Sequence, residues 1–439
     1  MNTITPELIA KCREYAGRDK NVRTLNAAMG KTDLRELAYI KMNGAKLDGP
    51  YEIEIKTRGI TAQRQSGRCW MFAFMNVLRE CVAEKCNMDA PFELSGNHLA
   101  FYDKLEKANN ILEMAIATAD RPLTDRIMGY ILAGYGDGGH WSMCVDVAKK
   151  YGVVPKTIMP ELHHSENTGS FMRLLMSLVR KDIAELREMI ARGEDPLPRK
   201  EEMLAEIYKA QCIAFGEPVQ VFDFEYTDKD GKIHVDRDLT PHTFMEKYVG
   251  YDFDQYVNVA NYPVSFLKED TPFTFHHSGN MIDKNMWKLN ISQEAMEELC
   301  LKQLRAGEVV YFGCDSGAFG GRFDGIWDPD CFIYEDLLGG VECFMDDRGK
   351  RLEYHESITT HNMVLCGVNF DRDGKPNRWK IENSWGAECG KNGYFVCSEK
   401  YFKNYVYEMI INKKYFSEEQ LQMLEKEAVQ LTPWDGDSL

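Results

Sequence analysis

Residues 61–79 run Thr61-Ala-Gln63-Arg-Gln-Ser66-Gly67-Arg68-Cys69-Trp70-Met-Phe-Ala-Phe74-Met-Asn-Val-Leu-Arg79. The stretch up to Arg68 is polar and closes on Gly67-Arg68, which reads as a loop. The remainder has no Gly or Pro and is mostly apolar, so it predicts a buried helix with Cys69 at or near its N-terminus. A thiol attacks only as thiolate, and a free cysteine, with a pKa of about 8.5, holds little thiolate at neutral pH. A helix N-terminus sets about half a positive charge beside the sulfur. A neighbouring imidazolium would lower the pKa further and complete an ion pair. On its own, Cys69 reads first as a core thiol, one of 13 cysteines in the chain.

Gln63 changes that balance. It lies in the loop that feeds the helix, where its amide and the backbone N–H of Cys69 would together donate to a developing oxyanion. Alone it reads as a solvated loop glutamine. The base must come from far along the chain. His361 opens an apolar run, His361-Asn-Met-Val-Leu-Cys-Gly-Val-Asn-Phe370, which predicts a strand. Asp371-Arg-Asp-Gly374-Lys-Pro-Asn377 predicts a turn, and Arg378-Trp-Lys-Ile-Glu-Asn383-Ser-Trp385-Gly386 a returning strand. With the turn centred between residues 372 and 374, His361 and Asn383 share the open end of the hairpin, and they face each other if the centre is 372. The Asn383 amide oxygen would then orient the imidazole, and Trp385 would roof that hydrogen bond against water. Each piece alone is equally a hairpin with a polar end.

The chain has 439 residues, 44% of them hydrophobic and 28% charged, which suggests two or three structural units with a sizeable core. The net charge of −16 repels a phosphate backbone and argues against nucleic-acid binding. The start, Met1-Asn-Thr-Ile-Thr-Pro6, does not read as a signal peptide, and no apolar run of membrane-spanning length occurs. The cysteines form no CxxC pair, so reduced thiols and a cytoplasmic location are expected. His163-His164 and His276-His277 lie in polar contexts without further ligands nearby, and no metal or organic cofactor is expected.

Elsewhere, Tyr51-Glu-Ile-Glu-Ile-Lys56 alternates as a half-buried strand. Residues 105–135 and 165–215 read as helical, and Gly134-Tyr-Gly-Asp-Gly-Gly139 as a loop. Thr227 to Lys232 predicts a hairpin turn, and residues 417–430 a final charged helix. Four segments are expected. Residues 1–165 form an N-terminal segment and helical lobe with the nucleophile helix, and 166–260 a mainly helical insertion. Residues 261–416 form a β-rich lobe with His361 and Asn383, and 417–439 a C-terminal helix and active-site arm.

Gln63 to Phe74 resembles the nucleophile segment of papain-like cysteine peptidases, in the Ser-Gly-Arg variant of the bleomycin hydrolase and aminopeptidase C family. Thr360-His361-Asn-Met363, Glu382-Asn383-Ser-Trp-Gly386 and Asn392-Gly-Tyr-Phe395 are similar to that family's His and Asn segments. Asp137-Gly-Gly-His-Trp141, Lys150-Tyr-Gly-Val-Val-Pro-Lys156 and Phe312-Gly-Cys-Asp315 extend the likeness, which runs from about residue 55 to 435. Compact papain-type enzymes separate their Cys and His by about 130–150 residues. Here Cys69 and His361 stand 292 positions apart, and the family's insertions would occupy the excess.

The resemblance implies an α+β fold: a papain-like two-lobed core with helical and hook-like insertions and a C-terminal arm. It implies a cysteine aminopeptidase acting on short peptides through a thioester acyl-enzyme. Cys69 would be the nucleophile, His361 the base and then the acid, Asn383 the orienter and Gln63 the oxyanion donor. It also implies a homohexamer, and a tail whose terminal carboxylate limits the cleft and receives the substrate amine. Here that tail, Gly436-Asp-Ser-Leu439, is shorter and more acidic than the family pattern. Leu439 and Asp437 are therefore candidate substrate contacts, alongside Trp385. The short tail leaves endopeptidase and dipeptidyl peptidase readings open. A catalytically silent peptide- or nucleic-acid-binding barrel and a thiol acyltransferase are the rivals from other classes.

Overall fold

The computed structural model describes residues 1–322 and 324–435. Its helical side is built around Cys69–Lys85, which is buried along most of its length. Gly96–Ala117 and Trp141–Tyr151 pack beside it, and Gly169–Ala191 and Leu197–Phe215 form an antiparallel pair beyond. Ser95 starts the second of these helices by accepting from the backbone N–H of His98 at 3.1 Å, the N-cap role suited to its hydroxyl.

The other side is one large sheet. Its central strands are Val406–Asn412, Val310–Cys314, His361–Phe370, Pro376–Glu382 and Tyr394–Ser398, in that spatial order and antiparallel. Tyr256–Ala260, Trp287–Asn290, Thr271–Phe275 and Val429–Leu431 extend it at one end. Ile326–Trp327 and Gly320–Gly321 close the other. One face of the central strands packs against the Cys69 helix through Tyr311, Val364, Cys366 and Ile410. The opposite face buries Phe312, Met363, Leu365 and Met409 against Gln293–Arg305. Both faces are covered, which explains why His361–Phe370 reads as nearly continuous apolar sequence and does not alternate. Phe222–Thr227 and Ile233–Leu239 form the expected separate hairpin. Among the described residues, no helix is long and apolar enough to cross a membrane.

Three local expectations change. The helix expected over 417–430 is only Glu418–Met423; Val429–Leu431 leaves it and pairs in parallel with Thr271–Phe275. Ser417 and Gln420 cap the helix start. At the far end, the β-branched Val429 and buried Leu431 gain more from the sheet than from helical continuation. The strand over 51–56 pairs only at Ile53–Glu54, although its side chains alternate as expected. The hairpin register sets Val364 opposite Glu382, so the turn is centred on 373 and not 372. His361 and Asn383 are thus staggered, and their contact is made by side-chain reach.

Candidate active site

Cys69 is the first residue of its helix, and 8% of its surface is exposed. The loop before it is fixed by buried charge. Arg68 makes a forked pair with Glu161, at 3.2 and 2.9 Å. Lys104, from the neighbouring helix, pairs with Asp137 at 2.7 Å. Asp137 in turn accepts from the Gly67 N–H at 3.2 Å through its carboxylate, and from Trp70 Nε1 at 2.7 Å through its carbonyl. Lys104 holds the Asp137 carboxyl down at about 2, against the upward push of burial. Gly139 lets this loop lie on the indole: a Cβ there would come within 2.7 Å of Trp70.

The sheet side supplies His361, the first residue of its strand, and Asn383, just past the end of the next. His361 Nε2 donates to Asn383 Oδ1 at 2.9 Å, and the Ser384 N–H donates to the same oxygen at 2.7 Å. Trp385 lies over the imidazole, with ring centroids 4.8 Å apart and planes at 30°. Arg322 lies over the indole at 5.1 Å.

The two sides meet at the sulfur. Burial pushes the Cys69 thiol up, but the His361 ring outweighs it by charge and hydrogen bond. The backbone N–H groups of Asn362 and Trp70 add to this, and the thiol falls below its ordinary value. Other cysteines go the opposite way: burial raises the half-buried Cys81 to about 11 and the buried Cys331 to about 12, and lifts Cys144, Cys300 and Cys397 well above the ordinary range. A low-pKa thiol beside an imidazole whose other nitrogen is held by an amide is equipped to attack a carbonyl carbon.

Gln63 is buried, and its amide bridges both sides. Nε2 donates to the Ser66 carbonyl at 2.7 Å, and Oε1 accepts from the Ser384 hydroxyl at 2.7 Å. That leaves the second N–H of Nε2 for another acceptor. The backbones also join here: Gln63 N donates to Ser384 O at 2.8 Å, and Gly386 N to Thr61 O at 3.1 Å. Cys69, His361, Asn383, Gln63 and Trp385 are therefore gathered at one place. Asp437 and Leu439 lie outside the described residues. Among those described, no group of three or more His, Cys, Asp or Glu side chains is placed to hold a metal ion.

Sequence reasoning missed Ser384, Asp137 and Glu161. Ser384 adjoins Asn383 in Asn-Ser-Trp, which offered a signal. The pairing of Asp137 and Glu161 with the nucleophile loop is visible only in three dimensions.

Known proteins resemble this chain over nearly its full length. Residues 3–437 match the peptidase C1-like family. Aminopeptidase C of Listeria monocytogenes is 39% identical over 384 residues, covering 87% of this chain and 86% of that protein. Aminopeptidase C of Lactococcus lactis is 34% identical over 435 residues, covering 99% and 98%. The crystal structure of PepW from Lactobacillus rhamnosis HN001 superposes with a TM-score of 0.95 at 36% identity, covering 99% of this chain and 98% of that one. The chain belongs to the peptidase C1-like family, in its bleomycin hydrolase and aminopeptidase C branch of papain-like α+β cysteine aminopeptidases.

Proposed function

We propose that this cysteine aminopeptidase works as follows. The Cys69 thiolate attacks the first peptide carbonyl of a short peptide. The Cys69 N–H and the free N–H of Gln63 Nε2 stabilise the oxyanion. His361 protonates the leaving amine, with its ring held by Asn383 and roofed by Trp385. Water, deprotonated by His361, then cleaves the thioester. No metal or organic cofactor takes part. The observation that carries this reading is His361 lowering the Cys69 thiol while its Nε2 is committed to Asn383 at 2.9 Å.

In this reading the segment after Trp434, which holds Asp437 and Leu439, limits how much peptide enters, so residues leave one at a time. The family likeness carries two further readings, a homohexamer and a cytoplasmic location. Light scattering on the purified protein checks the first.

The test is mass spectrometry of products from a short peptide with a free or an acetylated N-terminus. Wild type is expected to trim only the free peptide, stepwise. A variant truncated after Trp434 is expected to gain internal cuts. Internal cutting by wild type would replace the aminopeptidase reading with an endopeptidase one. Turnover by Cys69→Ala would refute the nucleophile.

A further inference from the structure

An open cavity of about 380 Å³ adjoins the catalytic groups, with Arg64, His163, Glu166, Arg322, Trp385 and Glu388 in its lining. Two parts of that lining belong to the machinery already described. Trp385 lies over the His361 imidazole, with ring centroids 4.8 Å apart. Arg64 directly follows Gln63, the oxyanion donor. Arg64 is held at φ 54°, a left-handed backbone that costs a non-glycine residue free energy. The next residue offsets this: the Gln65 N–H donates to the Glu166 carbonyl at 2.9 Å. So placed, the Arg64 guanidinium reaches Glu388 at 3.1 Å and Glu166 at 3.8 Å. One cation thus engages both acids of the cavity.

Arg322 differs. Its guanidinium lies 5.1 Å from the centre of the Trp385 ring, and no carboxylate pairs with it among the described residues. A guanidinium stacked through its face keeps the N–H groups of its edge, and these match a carboxylate two at a time. The chemistry of the cleft says where that carboxylate comes from. The acyl part of the substrate stays on Cys69. The leaving part begins at the amine that His361 protonates, so it runs out past the imidazole and the indole that covers it. Imidazole to indole is 4.8 Å, and indole to guanidinium 5.1 Å. A leaving dipeptide, fully extended, spans about 7 Å. With a hydrogen bond at each end it bridges His361 to Arg322, and the group it presents there is a C-terminal carboxylate. A longer leaving product presents a neutral peptide unit at the same place.

We propose that Arg322, stacked on Trp385 at this cavity, receives the C-terminal carboxylate of a leaving dipeptide, so that tripeptides with a free C-terminus are the preferred substrates. This rests on the proposed roles of Cys69 and His361 and deepens the aminopeptidase reading, because it defines the substrate by its far end.

The test measures kcat/KM for one tripeptide as the free acid and as the C-terminal amide, on wild type, Arg322→Gln and Arg322→Lys. Arg322 is exposed, so neither substitution opens a hole in the core. The amide lacks only the negative charge, so the acid-to-amide ratio cancels any general loss of activity. Wild type is expected to favour the acid by about tenfold or more, chiefly through KM, the scale of a charge-assisted hydrogen bond. Arg322→Gln is expected to bring the ratio close to one. Arg322→Lys is expected to restore part of it, since lysine keeps the charge and loses the fork. A pentapeptide pair is expected to show a smaller ratio than the tripeptide pair. A wild-type ratio near one, or a ratio that Arg322→Gln leaves unchanged, would overturn the proposal, and equal ratios at both lengths would overturn the dipeptide assignment. An N-acetylated tripeptide separates this from the aminopeptidase reading: its cleavage would overturn that reading, while the acid-to-amide ratio still decides this one.

Discussion

The two walls of the cleft are held by different forces. The nucleophile side is pinned by buried ion pairs, Arg68 with Glu161 and Lys104 with Asp137, around a loop without regular structure. Among the described residues no carboxylate pairs with His361 on the sheet side; strand pairing places it and a neutral amide orients it. The difference follows from what each wall must do. A loop has no ladder to fix it, so charge and hydrogen bonds to neighbouring elements must supply the constraint. On the sheet side a neutral Asn leaves the imidazolium free to pair with the thiolate, where a carboxylate would compete for its charge.

The sharpest way to break this comparison is to remove the imidazole that faces the thiol across the cleft. His361→Ala is expected to reduce turnover by roughly 10,000-fold, as for other nucleophile–base units. It should also move the pH midpoint of Cys69 alkylation upward, because only the backbone N–H groups of Asn362 and Trp70 then oppose burial. An unmoved midpoint would mean that the helix end alone sets the thiol.

The next test asks whether charge truly holds the loop wall. Lys104→Met leaves Asp137 buried without its cation, and unfolding stability in urea should fall by about 3 kcal/mol. A loss within the ordinary range for a surface change would refute the role given to the pair.

A gentler probe uses pH. The folded Asp137 carboxyl sits at about 2 against an ordinary 3.8. A depressed pKa contributes stability that is complete above the unfolded value and is lost as pH falls toward the folded one. Asp137→Asn should therefore flatten the acid limb between about pH 4 and pH 2, removing about 2 kcal/mol of pH dependence. A variant with an unchanged acid limb would place that dependence elsewhere.

The smallest expected effect lies on the neutral wall. Asn383→Ala should lower kcat roughly tenfold with little change in the alkylation midpoint, because it removes an orienter and no charge. A large midpoint shift would show that the amide tunes the thiol electrically, and the contrast between the walls would then blur.

How far the sequence was legible follows the same division. Cys69 at a helix start and His361 at a strand start are local patterns, readable from Gly/Pro punctuation and apolar runs. The stagger of His361 against Asn383 was readable only to within a few residues, because turn composition does not fix register. The strand at Val429–Leu431 was hidden because its partner, Thr271–Phe275, lies far away in sequence. Glu161 looked like any surface acid, and Asp137 stood out only through the family likeness, since burial of charge depends on partners that sequence does not reveal.

The backbone bonds between Thr61–Gln63 and Ser384–Gly386 have a mechanical meaning. They stitch the nucleophile loop to the sheet beside the site, and the Ser384 hydroxyl on Gln63 Oε1 adds a side-chain stitch. Any change in the spacing of Gln63 and Asn383 has to break backbone hydrogen bonds first.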